Sequence, residues 1–487
     1  MIIRKKQEDE EYIGENKMGT QPVVPLLISM ALPPMSSMFM QYTYNFVDCM
    51  FVSWISEDAL TAVSLAFPIT TLILSISIGL GVGTNALIAR RLGGKDQDGA
   101  NNIVSHSLIL SSILGIILTI IALFIVKPFF SAFTDNATIY QLGLDYTYIV
   151  VFMVFGNMVH ISIQKMIQAT GNMISPMLFQ MAGVVLNFVL DPILIFGWFG
   201  MPAMGVKGAA IATVLGYFFS MILAFYVLIF TKQKVRIKTK GFHLEWKIFR
   251  EIIIIGLPSL VMNALGGFMV VFSNIFLASY SMTAVAFFGI YFKIQQLITM
   301  TVNGLIQGCM PVMAYNYGAH NKPRLMETFK AGLSIAIIMM GAGTVILWTF
   351  PGNALGLFRA SHEMLEFGIP ALRIMSSSFI LAAFGFMFAS FFQATERVYY
   401  SMIINLLRQL VLLMPSMWLL SRMMGISGIW WSFLVAELVT TIVCIVLFIQ
   451  SEIRGPGIRF EEEYLADDLL DQFFEDKGTN EGGEYIR

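Results

Sequence analysis

The 487-residue chain has little charge: Asp, Glu, Lys and Arg make up 13% of it. Soluble domains carry about 25%, so a string of soluble domains is excluded. Cysteine is scarce too. Cys49, Cys309 and Cys444 are odd in number, lie inside apolar stretches and have no zinc-like spacing, which makes them packing residues. The five histidines contain no i, i+4 pair that would grip a metal from one helix. No G-x-x-x-x-G-K-[ST] segment occurs, and Gly93-Gly94-Lys95-Asp96 has neither the spacing nor the hydroxyl of a phosphate loop. An enzyme or an ATP-driven machine therefore has no visible chemistry here, and neither a cofactor nor a nucleic-acid partner is expected. The first 22 residues are polar and mixed in charge, unlike a cleavable signal peptide.

What the chain does have is apolar length. It is 57% hydrophobic with a mean hydropathy of +0.74. Apolar runs long enough for about 30 Å of hydrocarbon recur from end to end, and they are too long for the alternating strands of an outer-membrane barrel. Twelve spans are expected, at 23–54, 60–89, 102–126, 140–168, 173–198, 205–231, 250–279, 284–316, 328–350, 364–393, 398–421 and 427–450. Pro25, Pro33 and Pro34 make the first the least straight.

Charge orients these spans. With a cytoplasmic N-terminus, 22 of the 30 Lys and Arg fall in inner segments. The outer loops then hold only Lys127, Lys207, Arg359 and Arg422. That bias places both termini in the cytoplasm. The expected organisation is an N-terminal segment 1–22, an N-lobe 23–231, a basic cytoplasmic linker 232–249, a C-lobe 250–451 and an acidic cytoplasmic tail 452–487. The tail reads as solvated, although its interleaved Tyr464, Leu465, Leu469, Leu470, Phe473 and Phe474 also allow a short amphipathic helix.

The two lobes repeat each other. Ala31-Leu32-Pro33 resembles Gly256-Leu257-Pro258; Gly93 matches Gly318, Phe133 matches Phe358, and Gln168-Ala169-Thr170 returns as Gln393-Ala394-Thr395, all 225 residues apart. Near the end the offset drifts to 220, where Gly205-x-x-Gly208 faces Gly425-x-x-Gly428. Six spans per half means that both halves enter the membrane the same way round. The repeats are then parallel, about a pseudo-two-fold axis along the membrane normal, an architecture of transporters that rock about a midplane site.

The halves differ in a few buried polar positions. Asp48 faces Ser273, Asn187 faces Leu412, and Asp191 faces Ser416. An intramembrane carboxylate costs about 2.5–3.5 kcal/mol even on a lenient insertion scale and is a functional candidate by default. Asn187 and Asp191 share a helix face, and Pro192 disfavours helical geometry at Asp191, which frees nearby carbonyls. Such oxygens suit a hard monovalent cation; two close carboxylates equally hold a proton. A structural reading stands beside the functional one, since Asp-Pro also ends helices. Asp145 belongs near the outer interface. Lys293 beside Gln295 and Gln296, together with Arg408 and Glu437, forms either structural pairs or a substrate passage and gate. His106 and His160 are core or pore-lining residues. The 33 Met and 41 Phe fill helix interfaces, or form an adaptable cavity. Gly79, Gly81 and Gly83 permit close helix packing.

Several segments resemble the multidrug and toxic compound extrusion (MATE) transporters. They are Tyr44-Asn45-Phe46-Val47-Asp48, Gly81-Val82-Gly83-Thr84-Asn85 with Arg90-Arg91-Leu92-Gly93, and Leu186-Asn187-Phe188-Val189-Leu190-Asp191-Pro192-Ile193-Leu194. Gly208-Ala209-Ala210-Ile211-Ala212-Thr213, Pro311-Val312-Met313-Ala314-Tyr315-Asn316-Tyr317-Gly318 and Trp430-Trp431-Ser432 with Ala436-Glu437 also fit. The resemblance covers about 20–450 and is closest to the DinF-like branch. It implies an all-α polytopic membrane protein with twelve helices in two six-helix lobes forming a V. It further implies export of organic cations and drugs driven by Na⁺ or H⁺. The coupling-cation site it implies comprises Asp48, Asn187, Asp191 and Thr213, with Asn157 as the polar position of span 4. Span 7 has no carboxylate, unlike the NorM-like branch, so a C-lobe cation site of that kind is not expected.

The resulting expectation is a secondary antiporter of cationic or amphipathic drugs, working by alternating access as a monomer in a bacterial cytoplasmic membrane. A related lipid-linked oligosaccharide flippase, which would need a lengthwise cationic groove in the N-lobe, is the alternative. A passive channel, showing flux without saturation or coupling, is a third.

Overall fold

A computed structural model describes residues 16–358 and 361–453. Its long helices are α1 Val23–Ser53, α2 Glu57–Gly93 and α3 Gln97–Phe133; α4, in two segments, Ala137–Val151 and Met153–Ala169; and α5 Ile174–Phe196 and α6 Val206–Phe230. The second half contains α7 Trp246–Ala278, α8 Met282–Gly318, α9 Lys322–Thr349, α10 His362–Ala394, α11 Val398–Met424 and α12 Ile426–Ile453. Among the described residues eleven helices are long and apolar enough to cross a bilayer alone, and the two segments of α4, bent by 40°, supply a twelfth. The chain divides into two compact units, 1–441 and 442–487. All sites discussed below belong to the first; the described part of the second is the end of α12.

The repeat extends to the helix ends. Ser56 and Ser281, 225 residues apart, cap α2 and α8 by accepting from Ala59 and Ala284 N–H. Asp96 and Asn321 cap α3 and α9 in the same way, and Asn136 and Ser361 cap α4 and α10. These short polar side chains satisfy N–H groups that have no partner within the helix. The turns before α6 and α12 use Gly205 and Gly425, at φ 56° and 61°, a conformation open to glycine. The five-residue drift has a local cause. After α5 the N-lobe inserts a 3₁₀ turn, Trp198–Gly200, and an extended stretch, whereas Gly425 alone separates α11 from α12.

The helices depart from the expected spans in two ways. Several overshoot, α3 running from Gln97 to Phe133 rather than 102 to 126, because capped polar turns continue the helix past its apolar stretch. The expected continuous span 140–168 is broken at Phe152. The span expected at 173–198 is helical through Pro192 to Phe196, so the loss of helical geometry expected at Asp191 does not occur; Pro192 only removes one N–H from the ladder. Cys49, expected to pack, is exposed, whereas Cys309 and Cys444 are buried. Beyond Ile453 the acidic tail lies outside the described residues, as do Arg4, Lys5, Lys6 and Arg359.

The linker is fastened to α3. Arg236 and Lys238 donate backbone N–H to the Asn101 and Ser105 side chains at 2.8 Å each. Glu245 N–H donates to His106 Nε2 at 2.8 Å, and His106 Nδ1 bonds Asn102 O at 2.8 Å, so this histidine is fully occupied as an anchor.

The lobes meet along a seam of glycine at the end bearing Arg90, Arg91 and Arg324. A Cβ on Gly93 would collide with Tyr315 O, and one on Gly318 with Arg90 O. Gly83 faces the Ile252 carbonyl and Gly256; its counterpart Gly308 faces Met30 and Ala31. Gly79 meets Leu260 as Gly304 meets Met35. The contacts of Gly93 and Gly318, of Gly79 and Gly304, and of Gly83 with Gly256 and Gly308 with Ala31 are repeated with the partners displaced by 225, as a pseudo-two-fold axis through the seam requires. The Arg90–Glu396 ion pair lies beside it. The turn Lys17–Thr20 bridges the same end, because Asn16 Nδ2 donates to Thr170 O at 3.4 Å while Asn316 Nδ2 and Arg324 Nε both donate to Met18 O.

Candidate functional site

Above the seam a cavity of about 410 Å³ lies between the lobes, walled by α1, α2, α4, α5 and α6 on one side and α7, α8 and α10 on the other. Drug-sized ligands occupy cavities of about 300–1,000 Å³. The wall is rich in carboxamides. Gln164 Nε2 donates to Gln180 Oε1 at 2.7 Å, and Gln180 Nε2 to Gln41 Oε1 at 3.1 Å, which fixes one stretch of it. Lys165 is the only lysine, arginine or carboxylate residue among the lining residues.

The N-lobe wall leads to the residues that the sequence singles out. α5 carries Asn187 and Asp191 one turn apart, with Asn187 Nδ2 donating to Asp191 Oδ1 at 3.4 Å. α6 brings in Thr213, whose hydroxyl lies 3.2 Å from that of Tyr44 and donates to Ala209 O at 3.0 Å. Glycine sets this approach: a Cβ on Gly216 would stand 3.0 Å from Asn187 Cβ. α1 contributes Asp48, one turn beyond Tyr44, and Asp48 and Asp191 lie within electrostatic reach of each other. Asn157, Asn187 and Thr213 line the cavity, and Asp48 and Asp191 are buried behind them.

These groups are under-satisfied. Asp48 Oδ1, Asn187 Oδ1, Asp191 Oδ2 and both side-chain atoms of Asn157 are buried without a hydrogen-bond partner. Unpaired buried polar groups cost about 1–3 kcal/mol each. Their oxygens suit a hard monovalent cation or a shared proton.

The C-lobe candidates do not join this group. Lys293 is exposed on α8, and its backbone carbonyl accepts the Tyr42 hydroxyl at 3.5 Å. Arg408 sits in a π-helical turn, Leu407–Val411, and its Nε donates to Glu437 Oε1 at 2.5 Å. Its guanidinium also lies 3.9 Å from the Phe386 ring centroid. None of the three lines the cavity. Asp145 pairs with Lys207 at a half-buried position. His160 lines the cavity with both ring nitrogens unpartnered.

Sequence reasoning passed over Lys165. It is buried, and its Nζ donates to Gln168 Oε1 at 3.0 Å and, across the lobes, to Gln307 Oε1 at 2.7 Å. Gly81 makes room for it: a Cβ there would stand 2.7 Å from Lys165 Cγ. The available signal was a lone lysine inside an apolar span, facing Ser390 in the repeat.

Two six-helix repeats enclosing a cavity between the lobes define a membrane transporter. The MatE family model matches residues 33–193 and 258–419, one stretch in each lobe. The chain belongs to this family of multidrug efflux transporters, which are not enzymes. It is 28% identical over 423 residues to the multidrug export protein MepA of Staphylococcus aureus, covering 85% of this chain and 91% of that one. An outward-facing multidrug resistance MATE transporter superimposes with a TM-score of 0.82 at 28% identity, over 91% of this chain and 100% of the other. A MOP superfamily transporter from Pyrococcus furiosus, described as having a binding pocket of reverse polarity, gives 0.84 at 26% identity, over 92% and 99%.

Proposed function

We propose that this transporter exports amphipathic organic molecules in exchange for a cation, Na⁺ or H⁺, bound in the N-lobe. The observation that carries this reading is the set of unpartnered oxygens, Asp48 Oδ1, Asn187 Oδ1 and Asp191 Oδ2, adjoining the cavity wall. An ion there relieves the repulsion between the two carboxylates and draws α1 toward α5. Tyr44 and Thr213, bonded to each other, extend that movement to α6 and the cavity surface. Because Asn187 both lines the cavity and bonds Asp191, ion and substrate act on the same side chain. Ion loading thus lowers substrate affinity through shared geometry, which is the coupling an antiporter needs.

The cavity supports a drug-sized amphipathic substrate. Its size and single lysine do not make the lengthwise cationic groove that a lipid-linked oligosaccharide flippase would use. The cell context follows the basic residues: both termini in the cytoplasm, with the glycine seam at the cytoplasmic end. The protein acts as a monomer, since both halves of the cavity come from one chain.

The test is efflux of a panel of amphipathic dyes, cationic and zwitterionic, from proteoliposomes holding the purified protein, under an imposed Na⁺ or H⁺ gradient. Saturable efflux driven by one gradient is expected in the wild type and absent in Asp48→Asn and Asp191→Asn. Full coupling in both variants would refute the site. Failure of either gradient to drive export of any amphipathic dye would refute the function.

A further inference from the structure

The inner segment of α4 faces the cavity with Asn157, His160, Gln164, Lys165 and Gln168. Their repeat counterparts 225 residues later on α10 are Ala382, Gly385, Ala389, Ser390 and Gln393. The fold therefore accepts small residues at these places, and four of the five polar side chains are additions made in one half only. Lys165 is the costliest of them, because an ammonium ion in the membrane interior needs compensation. None of the described carboxylates pairs with it; its two partners are neutral amide oxygens. An ammonium carries three N–H donors, so one remains unspent beside the cavity. One and two turns toward Asn157, further polar atoms wait: both ring nitrogens of His160 and the whole Asn157 carboxamide are buried and unpartnered, although both residues line the cavity.

We infer that the central cavity selects amphipathic substrates bearing an anionic group, a carboxylate or its equivalent, which binds Lys165 while hydrogen-bonding groups on the same molecule engage His160 and Asn157. The anion supplies the charge that the two amides do not. Its oxygen takes the free N–H or displaces Gln307, the partner from the opposite lobe, so binding acts directly on a contact between the lobes. The remaining apolar wall, including Met38, Leu74, Ile78 and Met262, accepts the body of the molecule. A purely cationic compound meets a like charge and no carboxylate on this surface. The inference rests on the export reading for its meaning, but equilibrium binding tests it without any ion gradient.

Tetramethylrhodamine and tetramethylrhodamine methyl ester form a matched pair, zwitterion and cation, that differ only in a free carboxylate. Their binding to the purified full-length protein in phosphatidylcholine nanodiscs is measured by fluorescence anisotropy. The acid is expected to bind at least about tenfold more tightly than the ester, as a charge-assisted hydrogen bond provides. Lys165→Gln should remove the difference and Lys165→Arg keep most of it. Equal or tighter binding of the ester to the wild type overturns the inference and needs no variant to fold. Persistence of the difference in Lys165→Gln also overturns it. Phosphatidylglycerol nanodiscs separate the two sources of anion. If the acid loses its advantage only there, Lys165 serves a lipid phosphate and the small-molecule assignment falls.

Discussion

Gly83 is one of the tightest points of the seam, and replacing it by alanine tests whether the lobes part there. The added methyl falls on the Ile252 carbonyl oxygen, with Gly256 N only 3.0 Å away. Both neighbours are backbone, so no rotamer change relieves the overlap and the helices must separate. Overpacking of this kind costs about 1–3 kcal/mol. The cost falls on the state in which α2 and α7 touch and vanishes once they part. At about 1.4 kcal/mol per factor of ten, the ratio of closed to parted seams drops roughly 5- to 150-fold. Spin labels at Lys232→Cys, exposed just after α6, and Lys330→Cys, exposed on α9, report the separation by double electron–electron resonance in a background without the native cysteines. The expected result is a new longer-distance population in Gly83→Ala. Gly341→Ala is the control, since its methyl meets nothing within 4 Å and only favours the helix. An unchanged distribution in Gly83→Ala, or an equal shift in the control, refutes the reasoning.

Two further outcomes are expected. Gly216→Ala pushes against the Gly183 carbonyl and Asn187 Cβ, 2.9 and 3.0 Å away, and should weaken coupling-ion affinity by about tenfold, an overpacking cost in the 1–3 kcal/mol range; ion-dependent thermal stabilisation in detergent reads this directly, and unchanged affinity would separate this stretch of α5 from the ion. Arg408→Ala strands the largely enclosed Glu437 and should destabilise the C-lobe by about 3–5 kcal/mol, whereas Arg408→Met with Glu437→Gln should regain most of that stability; thermal unfolding checks both, and a mild single-variant effect would mean that the pair is not the structural clamp its 2.5 Å contact describes.

Much of this architecture was legible in the sequence because it is periodic or repeated. Spans follow from apolar length, and the constant offset of landmarks such as Gly93 and Gly318 pairs one lobe with the other. The shared face of Asn187 and Asp191 follows from a four-residue spacing. What stayed hidden depends on contacts between distant segments. Lys165 and Gln307 are 142 positions apart, and no local pattern announces their meeting. The break of α4 at Phe152 leaves no Pro or Gly at that residue, and the caps that lengthen α3 and α8 lie in polar sequence beyond the apolar runs. Pro192 misled for the opposite reason: on its own it disfavours helical geometry at Asp191, yet the packing of α5 against α6 keeps the helix continuous there.

The seam also bears on how the lobes could have come to share one chain. Gly93 against Tyr315 and Gly318 against Arg90 are one contact made twice, the arrangement of an isologous interface between identical subunits. Two free copies of a six-helix half could close on each other by the same surface, each offering the glycine that the other requires. Joining them by the linker leaves that surface symmetrical while releasing everything away from the axis. One half can then acquire Asp48, Asn187, Asp191 and Lys165 without its twin acquiring them too, a division of labour that two products of a single gene cannot reach.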